Sequence, residues 1–484
     1  MLSIFPLQLP QLPHLLAIPV RLGVWYRYQL HRFPMPHRNY LYRGRRVRLI
    51  LTGTGLAMRK ILTLAAVLCT AASAQPQQNN FYLHDGDQVL FYGDSITDQR
   101  NYTMMIETYV ITRYPALKVR FTNSGWGGDR VSGGGGGDID LRLSRDVIPY
   151  KPSVITIMLG MNDGGYKAAT EASDEAYFDG YRHIHQTLQK DAPQARITAI
   201  EPSPYDDVTR LPGFPVQGGI AYNDVMVSYG KWVANFAREN RLTLADANTD
   251  FVHMLERANA SDPAIAKEIL SDHIHPSFGG ALMIGEAVLK AWNARSVVAS
   301  VAVYVDGSKA RIEHTEHTSV QALTSTNGGV RWQQTDDALP LPFVQWQGMW
   351  GAGPTVGLVI KNSDLADALN QEPLRVTGLP TGVYSVRVDG NSIGTFTSDQ
   401  LHTGINLALL KTPMTDQAMS VYLLTQQHGD IHYDRWRHVQ VPFGSAPTAA
   451  GAITSLDELE KTVVEQQYAA AVPKQHLFEV VLER

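Results

Sequence analysis

Short apolar runs alternate with longer amphipathic segments between Gln88 and about Ala294. Brief apolar runs rich in β-branched residues predict buried strands, whereas apolar residues at intervals of three and four predict helices. The predicted strands are Val89–Tyr92, Lys118–Thr122, Val154–Leu159, Arg196–Ile200 and Leu242–Ala245, and the predicted helices span 102–114, 175–190, 222–240, 251–258 and 277–293. This alternation is typical of a parallel sheet with helices on both faces. We therefore expect an α/β domain with a doubly wound parallel sheet over residues 81–296.

The pattern changes after Ser296, where β-branched residues and Asp-Gly turns become frequent. Val303–Gly307 and Val386–Gly390 each end in Asp-Gly, a dipeptide that is typical of the turn in a β-hairpin. We therefore expect a separate β-rich module, appended to the α/β domain, over residues 297–403.

Helical spacing returns near Pro413 and runs toward His438, and a proline followed by an acidic residue suits the first turn of a helix. A linker rich in Gly, Ala, Pro and Ser then runs from Phe443 to Thr454. Ser455–Glu458 matches a capping box that would open a last helix. We expect residues 404–484 to form a helical region that packs against one of the two preceding modules.

The first 74 residues contain ten Lys or Arg and no acidic residue. Within them, Met58–Lys60 precedes an apolar run and an Ala-Ser-Ala sequence that ends at Ala74, which is the order of a secretory signal peptide. The apolar run is too short to span a bilayer. We expect a signal peptide at 58–74, cleavage after Ala74 and a secreted or periplasmic protein. Residues 1–57 are interpreted as a non-native upstream extension, with an organelle transit peptide as the alternative.

Charge and cysteine content exclude several partners. After residue 74 the chain has 32 basic residues against 46 acidic ones, which is a poor match for nucleic acid or an anionic membrane. The single cysteine, Cys69, lies in the predicted signal peptide, so the mature chain would contain no disulfide and no thiolate ligand. We found no second cluster of His, Asp and Glu with the spacing of a metal site. We therefore expect no metal, no cofactor and no stable membrane insertion after cleavage.

Four separate blocks carry residues with hydrolytic chemistry. They are Gly93–Ser95, Asn123–Arg130, Gly160–Asp163 and Asp272–Pro276. The first three each follow a predicted strand, and the carboxyl ends of parallel strands meet at one edge of a sheet, where such folds bind ligands. We therefore expect these three blocks to lie at the same edge, with the fourth placed just before the last helix of the domain.

The residue types in these blocks suit acyl transfer. The hydroxyl of Ser95 becomes a nucleophile only when a base removes its proton. His275, three residues after Asp272, provides a base together with a carboxylate that orients it. The tetrahedral intermediate also needs hydrogen-bond donors. The candidates are the backbone N–H of Gly128, the side-chain amide of Asn162 and the N–H of Ser95 itself.

In this order, the four blocks resemble the SGNH/GDSL hydrolase family over residues 86–295. The resemblance implies a flavodoxin-like, three-layer α/β/α fold and an ester hydrolase activity. It assigns the site residues as follows: nucleophile Ser95, oxyanion donors Gly128 and Asn162, and Asp272 with His275 as the rest of the triad. The serine is not in a G-x-S-x-G elbow, so the lipase-type α/β-hydrolase fold is not implied.

Several neighbouring residues have two interpretations. The glycine donor is assigned to Gly128, rather than to the other glycines of its block, because its spacing fits the family best. His273 either touches substrate or is a solvent-facing or packing residue, and the second interpretation is favoured. The run Gly133–Gly137 is either a mobile loop at the mouth of the site or a surface turn. Asp94 and Asp163 are interpreted as acceptors for backbone N–H groups in the loops.

The substrate class is a further hypothesis. Export, an acidic body and an attached β-rich module favour a secreted serine esterase that removes O-acetyl groups from a polysaccharide or a smaller ester. Trp332, Trp346 and Trp350 are candidates for stacking on sugar rings, although burial in a core is the more frequent role of such residues. A lipid esterase, lysophospholipase or acyl thioesterase is the first alternative. A non-catalytic glycan-binding protein is the second.

Overall fold

A five-stranded parallel sheet organises the first half of the structure, a computed structural model that describes residues 80–326 and 328–483. Its strands are β1 (Gln88–Gly93), β2 (Arg120–Gly125), β3 (Val154–Met158), β4 (Arg196–Ile200) and β5 (Thr243–Ala245). They are all parallel and lie in the order β2-β1-β3-β4-β5. This is the strand order of flavodoxin-like doubly wound sheets. The predicted fold class is confirmed.

Helices cover both faces of this sheet, and its central strands are therefore mainly apolar. The helices are α1 (Ser95–Asp98), α2 (Asn101–Arg113), α3 (Ile139–Asp146), α4 (Glu171–Asp191), α5 (Asn223–Asn240), α6 (Thr249–Ser261), α7 (Pro263–Ala266) and α8 (Phe278–Ala291). Helix α2 packs on α8. Helices α4 and α5 pack through stacked rings, Tyr177 on Tyr229 and Phe178 on Trp232. All five residues of β3 are buried, as a strand between two helical layers requires.

Two further sheets lie in the second half of the chain. Their strands are β6 (Ser300–Asp306), β7 (Lys309–Glu316), β8 (Thr318–Thr326), β9 (Gly329–Asp336), β10 (Pro373–Thr377), β11 (Val383–Val388), β12 (Asn391–Thr397), β13 (Ile405–Asn406) and β14 (Gln475–Leu482). One sheet is antiparallel with the order β8-β9-β14-β11-β12, and the other has the order β13-β10-β6-β7. Val303, Trp332, Val386 and Phe478 belong to one apolar core that both sheets share.

A second set of helices joins these sheets to the parallel-sheet region. They are α9 (Phe343–Gln347), α10 (Gly353–Asn362), α11 (Leu365–Leu369), α12 (Ser398–Thr403), α13 (Pro413–Tyr433) and α14 (Ala449–Ala470). Helices α10 and α11 pack on α8, and α13 packs on α2. Trp346 of α9 contacts Phe278 of α8 and Tyr422 of α13. The three predicted regions thus pack into a single unit.

The end of the chain corrects the prediction that residues 404–484 are helical throughout. Strand β14 lies between β9 and β11, at the centre of the five-stranded sheet. Its side chains alternate in burial, with His476, Phe478 and Val480 inside, which is the period of a strand. Helix α14 begins at Ala449, so Ser455 lies inside it, and the predicted capping box does not mark its start.

The predictions for the start of the chain lie outside the described residues. These are the upstream extension at 1–57, the signal peptide at 58–74 with Cys69, and cleavage after Ala74. Within the part of the chain that the structure describes, no helix combines the length and the apolar character needed to cross a membrane.

Candidate active site

Ser95 lies where β1 ends and the short helix α1 begins. Asp94 is the N-cap of this helix, and its carboxylate accepts the backbone N–H of Ile96 at 2.9 Å. The turn is so tight that a Cβ on Gly93 would lie 2.2 Å from Thr97 Oγ1, and therefore only glycine fits there. This local structure places the Ser95 hydroxyl at the carboxyl edge of the sheet, as predicted from the sequence.

Asp272 and His275 lie in the loop that leads into α8, 180 residues from Ser95. The Nε2 of His275 is 2.7 Å from Ser95 Oγ, and its Nδ1 is 2.6 Å from Asp272 Oδ2. The other carboxylate oxygen of Asp272 accepts the backbone N–H groups of Ile274 and His275, at 3.0 and 2.7 Å. The three side chains that the sequence suggested are therefore in one hydrogen-bonded line.

The ionisation of Asp272 suits a carboxylate that holds an imidazole. Partial burial alone would raise the pKa of Asp272, but hydrogen bonds from the His275 ring and from two backbone N–H groups outweigh burial. The pKa of this carboxyl is therefore held below its ordinary value. The side chain of His275 is 31% exposed and that of Asp272 is 53% exposed, so the line of three groups is open to solvent.

The glycine-rich block after β2 forms a turn beside Ser95. Gly128 has a φ of +78°, a backbone conformation that favours glycine. Among the described residues, the N–H of Gly128 has no hydrogen-bond acceptor. A Cβ placed on the neighbouring Gly127 would lie 4.0 Å from Ser95 Cβ, which shows how close this turn is to the serine. A free donor at this position fits the predicted role of Gly128.

Asn162 follows β3 at the same edge of the sheet and is largely buried. Its Nδ2 donates to the carbonyl oxygen of Asp129 at 3.0 Å and lies 3.4 Å from Asp94 Oδ2, a long contact. The hydroxyl of Tyr166 donates to Asn162 Oδ1 at 2.8 Å, which fixes the orientation of the amide. One hydrogen of the Asn162 amide is therefore donated to Asp129 O, and the other is directed at Asp94 Oδ2 in the longer contact.

Two buried carboxyls flank these groups and hold backbone, as the sequence suggested. Asp94 caps α1, and Asp163 Oδ1 accepts the N–H of Val131 at 2.9 Å. Burial raises the pKa of Asp94 to about 7 and that of Asp163 also to about 7. Their contacts connect the loops after β1, β2 and β3 to one another. They hold the loops at the edge of the sheet.

A buried arginine that sequence reasoning missed lies under the glycine turn. Arg142 of α3 is fully buried, and its Nε donates to Asp129 Oδ2 at 2.7 Å. The same guanidinium pairs with Asp146 and donates to Ser124 O at 2.7 Å. Because each of these contacts is with a residue of α3 or of the block after β2, Arg142 ties the two together.

The structure shows a structural role for both His273 and the glycine run at 133–137. His273 stacks on Tyr205, with ring centroids 5.0 Å apart, and its Nδ1 is 2.8 Å from Asp206 O, so it packs. In the glycine run, Gly133–Gly134 pairs with Gly137–Asp138 as a small antiparallel ribbon. The run is therefore an ordered hairpin rather than an irregular loop.

A broad polar cavity of about 770 Å³ opens beside Ser95. Arg100, Asn101 and Tyr433 line it together with Asp272 and the serine itself. Sequence reasoning missed Tyr433, because it lies on α13, far along the chain, and no local motif marks it. The described residues contain no group of three or more His, Cys, Asp or Glu side chains with a geometry that could hold a metal ion.

The tryptophans proposed for sugar stacking have different surroundings. Trp332 and Trp346 are fully buried in apolar cores, which excludes them from stacking on a ligand. Trp350 is fully exposed. The sequence-based suggestion is therefore wrong for the first two residues, and burial is the reason.

Comparison with known proteins gives consistent results. Residues 91–281 match the GDSL-like Lipase/Acylhydrolase family. The chain is similar to an acetylxylan esterase from Geobacillus stearothermophilus, with 25% identity over 225 residues that cover 42% of this chain and 93% of the esterase. It also resembles the solved structure described as "BT4096 a gut microbial diltiazem-metabolizing enzyme", with 23% identity, a TM-score of 0.71, and coverage of 84% of this chain and 100% of that one. At this identity the structural likeness concerns the fold alone.

The parallel sheet, its flanking helices and the matched sequence define a class, the carboxylic-ester hydrolases with a three-layer α/β/α fold. Residues 91–281 form the GDSL-like lipase/acylhydrolase domain of this enzyme, as the resemblance to the SGNH/GDSL family predicted. The structural likeness covers 84% of the chain, so it extends beyond this domain into the β-rich and helical regions.

Proposed function

We propose that this enzyme is a secreted serine esterase that removes O-acetyl groups from carbohydrates. The observation that carries the catalytic part is the line from Ser95 Oγ to His275 Nε2 at 2.7 Å and from His275 Nδ1 to Asp272 at 2.6 Å. This hydrogen-bonded arrangement weighs against a non-catalytic glycan-binding protein, because glycan binding alone does not require a serine, a histidine and an aspartate in this order. The signal-like segment at 58–74 supports export.

Acylation starts when His275 Nε2 takes the proton of the Ser95 hydroxyl as the oxygen attacks the acetyl carbon. Asp272 stabilises the imidazolium that forms. The carbonyl oxygen becomes an oxyanion, which the N–H groups of Ser95 and Gly128 and the Asn162 amide bind more strongly than the ground-state carbonyl. The imidazolium then protonates the sugar oxygen as it leaves, and the acetyl group remains on Ser95.

Deacylation repeats these roles with water as the nucleophile. His275 removes a proton from a water molecule that attacks the acetyl-enzyme, and the same donors stabilise the second tetrahedral intermediate. When this intermediate collapses, the proton returns to Ser95 and acetate is released. The exposure of the His275 side chain, 31%, gives water direct access to the acetyl-enzyme.

The open, polar cavity supports a hydrophilic alcohol group in the substrate. Arg100, Asn101 and Asp98 offer hydrogen-bond partners, and Tyr433 offers a ring edge beside them. Binding sites that select long acyl chains are predominantly apolar, whereas this cavity is lined mainly by polar side chains. The similarity to an acetylxylan esterase supports the same choice.

A second candidate is an esterase for apolar esters. Leu211 and Phe214 are 63% and 92% exposed on the loop that contains Gly213, and Gly213 lies against His273. Exposed apolar side chains on a loop next to an active site suit the recognition of an apolar group. This observation favours the lipid esterase or thioesterase alternative.

The test compares acetylated xylo-oligosaccharides with p-nitrophenyl esters of two to twelve carbons. We expect the highest kcat/KM for acetyl groups on sugars and a steep fall beyond four carbons. A preference for esters of eight or more carbons would favour the second candidate. Ser95→Ala should abolish turnover of every ester, and turnover at the wild-type rate in this variant would refute the catalytic assignment.

A further inference from the structure

The helix α13 continues past Tyr433 through an uncommon π-helical segment, Asp434–Gln440, and ends at Phe443. π-helical turns are rare and are often found at functional sites. This segment lies more than 150 residues beyond the matched domain at 91–281, yet it reaches the glycine turn beside Ser95. The π-helical segment can therefore influence the geometry around Ser95.

Arg437 of the π-helical segment contacts the glycine-rich block at two points and Asp98 of α1 at a third. Its Nη1 donates to Gly125 O at 3.2 Å, and its Nη2 donates to Asp98 Oδ2 at 3.3 Å. The guanidinium carbon lies 3.4 Å from the ring centroid of Trp126. Trp436, the preceding residue, packs edge-on against the same ring at 5.7 Å. Trp126 is therefore held between two side chains from the far end of the chain.

Asp98 connects this arginine to the candidate oxyanion donor. The oxygen that accepts from Arg437, Asp98 Oδ2, also accepts the backbone N–H of Gly127 at 3.1 Å. This hydrogen bond fixes the peptide plane before Gly127. Because two glycines in sequence have wide conformational freedom, fixing Gly127 restricts where the next N–H, that of Gly128, can point.

The charge of Asp98 also needs a partner. Asp98 lies three residues after Ser95 and lines the same cavity. An uncompensated carboxylate there would oppose the negative charge that develops on the oxyanion, because like charges at short range repel. The Arg437 guanidinium offsets this charge and at the same time holds the carboxylate in place with directional hydrogen bonds.

We propose that Arg437 is a positioning residue for ester hydrolysis, which acts through Asp98 and Gly127 to hold the N–H of Gly128 toward the oxyanion. The π-helical continuation of α13 is then a working part of the active site and not only a brace for the fold. This inference rests on the proposed roles of Ser95 and Gly128.

The test measures kcat and KM for p-nitrophenyl acetate in the full chain with Arg437→Ala and with the matched control Arg435→Ala. Arg435 lies in the same segment, is equally buried, and pairs with Asp457 at 2.6 Å, away from the glycine turn. Loss of one oxyanion donor lowers kcat by about 10²- to 10³-fold, so a misplaced donor should lower it by about 10- to 100-fold in Arg437→Ala. KM should change little, and Arg435→Ala should keep the wild-type kcat.

Two further measurements separate positioning from general damage. Guanidinium ions in millimolar amounts should restore part of the kcat of Arg437→Ala and leave Arg435→Ala unchanged. Asp98→Asn removes the carboxylate charge but keeps an acceptor for Gly127. In this background, Arg437→Ala should lower kcat by a markedly smaller factor than it does in the wild-type background. Thermal unfolding of both arginine variants reports whether the fold is equally affected.

Equal kcat losses in the two arginine variants, a loss confined to KM, or the same loss with and without Asp98→Asn would each overturn this inference. These outcomes differ from a failure of the proposed function. If Ser95→Ala retains turnover, the catalytic assignment itself fails. If Ser95→Ala is inactive while Arg437→Ala matches its control, the positioning role alone fails.

Discussion

Two histidines in this enzyme lie between an acidic side chain and a second polar partner, and the second partner differs. His275 contacts Asp272 at 2.6 Å and the Ser95 hydroxyl at 2.7 Å. His428 of α13 contacts Glu107 of α2 at 2.8 Å and Glu460 of α14 at 3.2 Å. The first ring therefore faces a neutral group that has a proton to give, whereas the second faces two carboxylates.

The two histidines also differ in burial, and this difference decides which of them can exchange a proton with a substrate. The side chain of His428 is 5% exposed, against 31% for His275. Burial alone would lower the pKa of His428, but the charges and hydrogen bonds of Glu107 and Glu460 outweigh it and raise the pKa to about 10. His428 is thus a fixed cation that joins three helices. A histidine exchanges protons with a substrate only where it is accessible and has a proton donor beside it, which is the situation of His275.

The largest expected effect in this comparison is that of His275→Ala. Without the base, the Ser95 hydroxyl keeps its proton, and kcat should fall by about 10⁴- to 10⁶-fold while the remaining donors give residual activity. Because the His275 side chain is partly exposed, the unfolding midpoint should change little. Steady-state hydrolysis of p-nitrophenyl acetate and a thermal melt measure both quantities. A variant with normal kcat would remove His275 from the mechanism.

Asp272→Asn should have the next largest effect. Asparagine presents either an amide N–H or a carbonyl to His275 Nδ1, and it cannot stabilise the imidazolium, so kcat should fall by about 10³- to 10⁴-fold. The hydrogen bonds from the N–H groups of Ile274 and His275 to the side-chain oxygen can persist, which keeps the loop in place. A loss of less than tenfold would mean that Asp272 serves only to shape this loop.

The residues of this first cluster could be predicted because local sequence marks them. Ser95 follows a strand and an N-capping aspartate, and Asp272 with His275 spans a single turn, so short motifs identify each part. The parallel order of the strands then places them at one edge. The precise use of the Asn162 amide was not predictable, because its partner Asp129 and the supporting Tyr166 lie in loops without a spacing rule.

His428→Ala should affect stability more than activity. Without the ring, Glu107 and Glu460 both lose their contact with the His428 cation, and breaking a buried ion pair from one side costs about 3 to 5 kcal/mol. Urea unfolding monitored by tryptophan fluorescence measures the loss. The control is the exposed pair of Lys461 and Glu465 on α14, the helix that also carries Glu460. Lys461→Ala should lower the unfolding free energy by less than about 0.5 kcal/mol.

At a temperature where the His428→Ala variant is fully folded, its kcat should stay within a few fold of wild type. A kcat loss comparable to that of His275→Ala would contradict the division between the two histidines. A stability loss below 1 kcal/mol would show that the buried cluster contributes little to the packing of α13, and the interpretation of His428 as a fixed cation would fail.

The cluster of His428, Glu107 and Glu460 could not be predicted from the sequence. Its two carboxylates are 321 and 32 residues away from the histidine along the chain, and no motif connects them. The same limit applies to β14, whose strand character depends on β9 and β11 for its pairing. Helical spacing and the acidic start near Pro413 were sufficient to predict α13. The predicted pattern ran toward His438, but it could not show that Asp434–Gln440 is π-helical, since π-helical geometry has no apolar period of its own that a pattern would reveal.

The pH dependence of stability should distinguish the His428 cluster from the rest of the protein. His428 has its pKa raised from 6.5 to about 10, so its stabilisation is fully present below pH 6.5 and is lost as pH rises toward 10. Burial opposes ionisation of Glu460, but hydrogen bonds from His428 and His432 lower its pKa, so its stabilisation is lost as pH falls below about 4.5.

The difference in unfolding free energy between wild type and His428→Ala should therefore be largest near pH 6 and shrink toward pH 9.5. Urea unfolding at pH 6, 7.5, 8.5 and 9.5 measures this difference, and taking it between two proteins cancels the titration of groups that do not contact His428. A difference that stays constant up to pH 9.5 would mean that His428 does not titrate in this range in the folded protein.

The smallest effect should come from a third histidine with a carboxylate partner, His183. Its Nε2 is 2.6 Å from Asp140 Oδ1, as short as the contact of His275, but the two side chains are 47% and 70% exposed. Water screens such a pair, so His183→Ala should change the unfolding free energy by less than about 0.5 kcal/mol and leave kcat unaltered. Urea unfolding and ester hydrolysis measured beside the other variants test this. A loss above 1 kcal/mol would show that contact distance, and not burial with a third partner, decides what a histidine and carboxylate pair does in this enzyme.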